Sequence, residues 1–186
     1  MSKNYDNIRV YGDLESEIFL APKGTVLPED FEDPTTPFRG MGWLSEDGID
    51  LEVEAEVEKF KGWQGGTTVR TKVTSTDKTF TAQFLEETPG TTSIFYGYDE
   101  DNDVTINGDY AKIDLPESIG TVARTAVIKF KDGDVTKYLC CEEIQAGERG
   151  TVSHKNDDMT IYEITFTIVG KSFILSNAES FVGSSS

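Results

Sequence analysis

From Leu51 to Glu58 the apolar residues Leu51, Val53, Ala55 and Val57 alternate without a break with Glu52, Glu54, Glu56 and Glu58. A period of two belongs to a strand with one apolar face and one face of carboxylates. A helix made of the same residues would spread the glutamates around its circumference and leave no contiguous apolar stripe. The segment is therefore expected to be strand, its apolar side buried and its other side a row of four negative charges.

The same period, broken by turn residues, runs through most of the chain. A loop carrying Pro28, Asp30, Asp33, Pro34 and Pro37 follows the first strands. Val69 to Val73 and Phe80 to Phe84 read as two strands joined by a polar turn at Ser75 to Lys78, with Phe80, Ala82 and Phe84 inward and Thr79, Thr81 and Gln83 toward water. Thr88 before Pro89 fits a helix N-cap and first position, and Gly97 fits a stop, so Pro89 to Tyr96 is expected to be the single short helix. An acidic loop spans Asp99 to Asp109. Arg124 to Phe130 and Val135 to Ile144 flank Asp132-Gly133, a hairpin signal. A last strand, Met159 to Val169, sets Tyr162, Ile164, Phe166 and Ile168 on one side and Glu163, Thr165 and Thr167 on the other. Residues 1–175 are expected to form one mainly β domain, with an extended loop at about 45–61, and 176–186 a flexible tail.

Charge and composition remove several classes of function. Asp and Glu number 34 against 17 Lys and Arg, a net charge of −17, which opposes binding to nucleic acid phosphates or to anionic membranes. The N-terminal residues lead into polar sequence with no apolar export signal, and no run of eighteen uncharged apolar residues occurs, so synthesis and folding in a cytoplasm are expected. Cys140 and Cys141 are sequence neighbours that a strand points to opposite faces, which favours two reduced thiols.

No catalytic constellation is found. His154 is the only histidine and lies in a polar loop. The acidic run from Asp99 lacks the glycine and glutamate of a calcium-binding loop, with Val104 and Tyr110 at those positions. Gly62, Gly65 and Gly66 precede no phosphate-binding lysine and helix, and fit a tight turn. No metal, cofactor or enzymatic activity is expected.

The flanks of the alternating run carry a family likeness. Phe38-Arg39-Gly40-Met41-Gly42-Trp43-Leu44-Ser45-Glu46-Asp47-Gly48-Ile49, then Gly62-Trp63-Gln64-Gly65-Gly66 and Val69-Arg70-Thr71, resemble the major tail tube protein of phages with long flexible tails, particularly those of actinobacteria. Leu20-Ala21-Pro22-Lys23-Gly24-Thr25-Val26-Leu27-Pro28 is similar to that family's opening segment, and Leu85-Glu86-Glu87-Thr88 with Phe95-Tyr96-Gly97 to its strand-to-helix junction. The likeness spans Ile18 to Tyr98 and rests on the order and spacing of these motifs together.

The resemblance implies an antiparallel β-sandwich or split barrel with one short α-helix, forming hexameric rings that stack into a virion tail tube. It implies copies of the chain itself as partners, and beyond them the tape measure protein, the tail terminator and the distal tail protein. DNA would pass through the tube without specific binding. Trp43, Ser45, Glu46, Asp47, Gly48, Trp63 and Gln64 become candidate subunit contacts. Glu52, Glu54, Glu56, Glu58, Thr79, Thr81, Gln83, Glu163, Thr165 and Thr167 become candidate lumen residues. An acidic wall repels phosphate within about 8 Å at physiological salt. The alternative positions for the glutamate row are the outside of the tube or a ring-to-ring hairpin, and Ser45 to Lys61 are expected to be ordered only in the tube. Other readings of the chain are another ring-forming tail part, such as a tail terminator, or an acidic β-sandwich module that stacks glycans on Trp43, Trp63 and tyrosines.

Overall fold

A two-residue turn, Gly133 and Asp134, joins strands β7 (Ala123–Asp132) and β8 (Val135–Arg149), with Gly133 at φ 56 as such a turn requires. In the computed structural model, which describes residues 3–183, the other strands build outward from this pair. β1 (Glu17–Pro22) lies against β7, and β2 (Arg39–Gly40) against β1. On the other side β9 (Tyr162–Ser176) pairs with β8, β4 (Thr68–Phe84) with β9, and β3 (Leu44–Lys61) with β4. The result is one antiparallel seven-stranded sheet in the order β2-β1-β7-β8-β9-β4-β3.

This sheet cannot be flat. β2 and β3 occupy its opposite edges, yet only Met41, Gly42 and Trp43 lie between them in the chain. Four residue steps reach at most about 14 Å, whereas seven strands laid side by side span roughly 29 Å. The sheet must curl until its edges nearly meet, giving the split-barrel form. Bulges at Arg124/Ala126, Cys141/Glu143 and Ala146/Arg149 supply bending. The link is tied at both ends: Met41 N–H donates to Ile18 O at 2.9 Å, and Leu85 N–H to Trp43 O at 3.0 Å. Arg39, just ahead of it, makes a two-pronged pair with Glu100 at 3.0 and 2.7 Å, and Ser93 Oγ donates to the same carboxylate. The Arg39 guanidinium holds the Glu100 carboxyl below the usual glutamate range against the opposing effect of burial.

Inside the curl, Ile18 and Leu20 from one side and Phe80, Phe84, Ile164 and Phe166 from the other enter one core. Phe80 stacks on Phe166 at 4.8 Å between ring centres. Helix α1 (Pro89–Tyr96) closes this core, as its sequence predicts: Thr88 Oγ1 accepts from Thr91 N–H, and Gly97 stops the helix at φ 77. Arg149 fastens it by donating to Ile94 O. The two cysteines part as expected, Cys141 into this core and Cys140 into a second cluster with Phe19, Val127 and Tyr138 on the other face. Burial pushes their thiols up to about 12 and about 11, so both stay protonated and unreactive. The proline-rich loop covers the second cluster, held where Lys129 Nζ and Tyr138 OH donate to Asp33 at 2.7 and 3.0 Å.

Several expectations are corrected. Ser75 to Lys78 form no turn; they lie within the continuous β4, each opposite a residue of β3, with only a bulge near Thr74. Polar residues on an arm open to water on both sides look like turn composition but pair as strand. Residues 45–61 are strand, not loop. The apolar side of the alternating run is uncovered: Leu51, Val53 and Val57 are 47%, 67% and 48% exposed. The acidic loop after Asp99 contains a ribbon of β5 (Val104–Asn107) and β6 (Tyr110–Ile113). β9 runs past Val169 to Ser176, and Glu179–Val182 form one helical turn, α2, in the segment expected as a mobile tail, whose residues 184–186 lie outside the described ones.

The link gives a direct test of closure. Gly42 has φ 76, and a side chain there would run into the Glu86 carboxylate. Gly42→Ala is expected to cost more than about 2 kcal/mol of stability in urea unfolding. Gly120, with no positive φ and open space around it, is expected to change to Ala at a cost below about 0.5 kcal/mol.

Candidate assembly surface

Directly opposed residues of antiparallel strands project from the same side of a sheet. The register pairs Thr79 with Thr167, Thr81 with Thr165, Gln83 with Glu163, and Glu52 with Thr79. The polar positions of three strands therefore meet on one face, opposite the face that carries Phe80, Ala82 and Phe84. They bond to one another. Thr81 and Thr165 hydroxyls lie 2.8 Å apart, and Gln83 donates to Glu163 at 2.8 Å while accepting from Ser45 Oγ at 2.7 Å. Ser45 is thus largely buried, committed to this network. Two residues join the face that the sequence pattern did not single out. Asp50, opposite Thr81, extends the alternation of β3 by one step, and Gln145 of β8 lies opposite Thr167.

Glu54, Glu56 and Glu58 share that side of β3 but leave the sheet. Pairing between β4 and β9 stops at Thr79, whereas β3 and β4 continue together to Lys61 and Thr68. Beyond Val53 they form a two-stranded arm with no third strand beside it. Its acidic side continues the wet face; its apolar side, Leu51, Val53, Ala55, Val57 and Val73, continues the core face into solvent. An isolated two-stranded hairpin is marginally stable in water. This one is anchored at its root by the barrel and otherwise waits for cover.

The candidate contact residues divide between the two ends of this arm. At the tip, Gly62 N–H donates to Thr67 O at 2.8 Å, Gly65 and Gly66 take positive φ, and Trp63 is 94% exposed with Gln64 beside it. At the root, Trp43, Ser45, Glu46, Asp47 and Gly48 line a groove of about 750 Å³ against the segment around Tyr11 to Glu17. Trp43 is 63% exposed, and its backbone N–H donates to Glu86 Oε1 at 2.9 Å. Eighteen residues of strand separate the two tryptophans, roughly 55 Å of extended chain. They make no common stacking platform, and the glycan-binding reading loses the feature that prompted it.

The sequence of residues 1–178 matches the family described as phage tail tube protein. The chain belongs to that family. Its role is structural and non-enzymatic, and its place is the tail tube of a virion. A comparison with curated proteins found no match. Among solved structures, it is similar to a chain of the virion of a native gene transfer agent particle, with 9% identity, TM-score 0.47, and 88% of this chain and 98% of that one covered. A chain in the tail of an empty gene transfer agent particle, refined with C6 symmetry, gives 10% identity, TM-score 0.48 and the same coverage, 88% and 98%. A chain of the anti-feeding prophage baseplate gives 12% identity, TM-score 0.42, and 94% and 97% coverage. Among the described residues of this tail tube protein, no helix is long and apolar enough to cross a membrane.

Because Trp63 touches nothing that holds the barrel together, Trp63→Ala is expected to leave the chemical unfolding of the free subunit within about 0.5 kcal/mol of the parent. A loss near the ~3 kcal/mol of a buried tryptophan would put the side chain inside the fold.

Proposed function

We propose that the protein assembles as rings of six copies that stack into the tail tube of a long, flexible-tailed phage, and that DNA leaves the virion along the channel. The observation that carries this reading is the arm, which continues both faces of the sheet beyond the single subunit and leaves the apolar one uncovered. A neighbouring copy is the cover that a repeating tube always supplies. Closing a ring also removes the exposed edges of β2 and β3, which a lone subunit leaves open to indiscriminate pairing.

The wet face around Thr81, Gln83, Glu163 and Thr165 is then the channel wall, with Glu52 and Asp50 at its margin. These six residues are hydroxyls, an amide and carboxylates, and so they offer DNA no phosphate contacts whose counterion release would hold it. A ring of six multiplies the chain's charge of −17 into a field that keeps the duplex off the wall. Glu54, Glu56 and Glu58 on the arm belong to a contact between rings. Tape measure, terminator and distal tail proteins complete the tail as the family resemblance implies.

Lysine on the wet face tests the assignment. A Thr81→Lys/Thr167→Lys variant is expected to form tubes visible by negative stain, but to slow DNA ejection in a salt-dependent way. Ejection at the parental rate from normal tubes would exclude this face from the channel. Loss of tubes would make it a subunit interface instead.

A further inference from the structure

The arm carries opposite charge at its two ends, and so does what surrounds them. Its shaft holds Glu52, Glu54, Glu56 and Glu58, but Lys59, Lys61, Arg70 and Lys72 gather within a few residues of the tip, around Phe60 and Trp63. None of those four cations forms an ion pair among the described residues. The root groove is the converse. Asp13, Glu17, Glu46, Asp47 and Glu86 line it, and Glu46 and Asp47 are exposed and without an ion pair among the described residues. Its two lysines are occupied: Lys129 bonds Asp33 at 2.7 Å, and Lys137 lies over the rings of Tyr11 and Phe130 at 4.4 and 4.6 Å. Between the carboxylates the groove presents Trp43, Leu44, Ile49 and Leu51, all incompletely buried.

Resting on the stacked-tube reading, we propose that the tip of one copy's arm seats in the root groove of a copy in the next ring, with Trp63 filling the groove and Lys59 and Lys61 facing Glu46 and Asp47. The occupant is a second copy of this chain. A single subunit cannot satisfy itself, because roughly 55 Å of paired strand holds its tip away from its own groove. The contact joins two different surfaces, tip to groove, so it propagates along an axis and does not close on itself. An aromatic residue among cations entering an apolar, acid-rimmed groove is the composition from which binding hot spots are built.

The charge order also sets the depth of insertion. A tip pushed further along would bring the shaft glutamates against the groove carboxylates, and the repulsion opposes it. Acidic shaft and basic tip together define one register between rings.

The test uses two full-length variants. Lys59→Glu/Lys61→Glu makes the β3 side of the tip acidic, with Arg70 and Lys72 unchanged on β4, and keeps an acidic groove; Glu46→Lys/Asp47→Lys has a basic tip and a groove whose outer rim is basic. All four positions are exposed, so each variant is expected to melt like the parent. Each alone is expected to need about tenfold or more higher concentration to form tubes, read by sedimentation and negative stain at low salt. An equimolar mixture is expected to recover tube formation, since each tip then finds a groove of opposite charge. Rescue by mixing also shows that both variants are folded. Two variants that polymerise alone like the parent, or a mixture no better than its components, would overturn the tip-to-groove contact and leave the tube reading intact, provided the parent forms tubes. A parent chain that stays monomeric at every concentration would remove both.

Discussion

Three residues between opposite edges of a seven-stranded sheet are the constraint on which the rest of this protein depends. Met41, Gly42 and Trp43 are too short to cross a flat sheet, so the strands curl, one face becomes a closed core, and the other is divided between the second cluster under the proline-rich loop and a face left to water. The edges that the link draws together are the same places where the groove opens. Gly42 at the centre takes a backbone angle that a side chain would oppose, and Glu86 closes over it to accept the Trp43 N–H. Closure, the groove and the exposed position of Trp43 thus share one cause.

From the closed barrel the β3–β4 arm carries the sheet's two-sidedness outward. Along β4 the side that carries Phe84, Ala82 and Phe80 in the core runs on through Lys78 and Thr76 and, past the bulge at Thr74, through Val73 in solvent. An apolar side chain on such an arm gains its ~25 cal/mol per Å² only when something covers it. Leaving that surface bare in the subunit stores the driving force for association. The acidic side keeps the arm soluble until then, and the basic tip biases where it lands. In the proposed tube this is a sensible division: the barrel would supply a rigid unit and the channel wall, while the arm would supply adhesion between units.

How much of this could be read from the sequence follows from the range of each interaction. Helix α1 was legible to the residue because its limits are local: the Thr88 cap, Pro89 at the first position, and Gly97 in the left-handed region. The hairpin at Gly133 was legible for the same reason, although its turn is Gly133-Asp134, one position on from the expected Asp132-Gly133, because Asp132 still pairs with Val135. The wet face was legible because period-two patterning in β4 and β9 matched when the strands paired, so Thr79, Thr81 and Gln83 met Thr167, Thr165 and Glu163. Alternation reports that a strand has two unlike faces, but not what covers them. That is why Leu51, Val53 and Val57 were expected to be buried and are not. Ser75 to Lys78 had the composition of a turn, and only the partner strand decides otherwise. Barrel closure depends on strands far apart in the chain, which no local pattern encodes. The division of Trp43 and Trp63 between root and tip was invisible until the intervening segment was known to be one unbroken strand.

Hydrogen exchange compared between the free subunit and the assembled tube tests most directly whether the arm is completed by its neighbours. Amides of Val53 to Lys61 and Thr68 to Thr76 are expected to exchange much faster than those of β7 and β8 in the subunit, and to become strongly protected in the tube while β7 and β8 change little. Arm amides with the same protection in both states would contradict this expectation, because the arm would then be complete without a second copy.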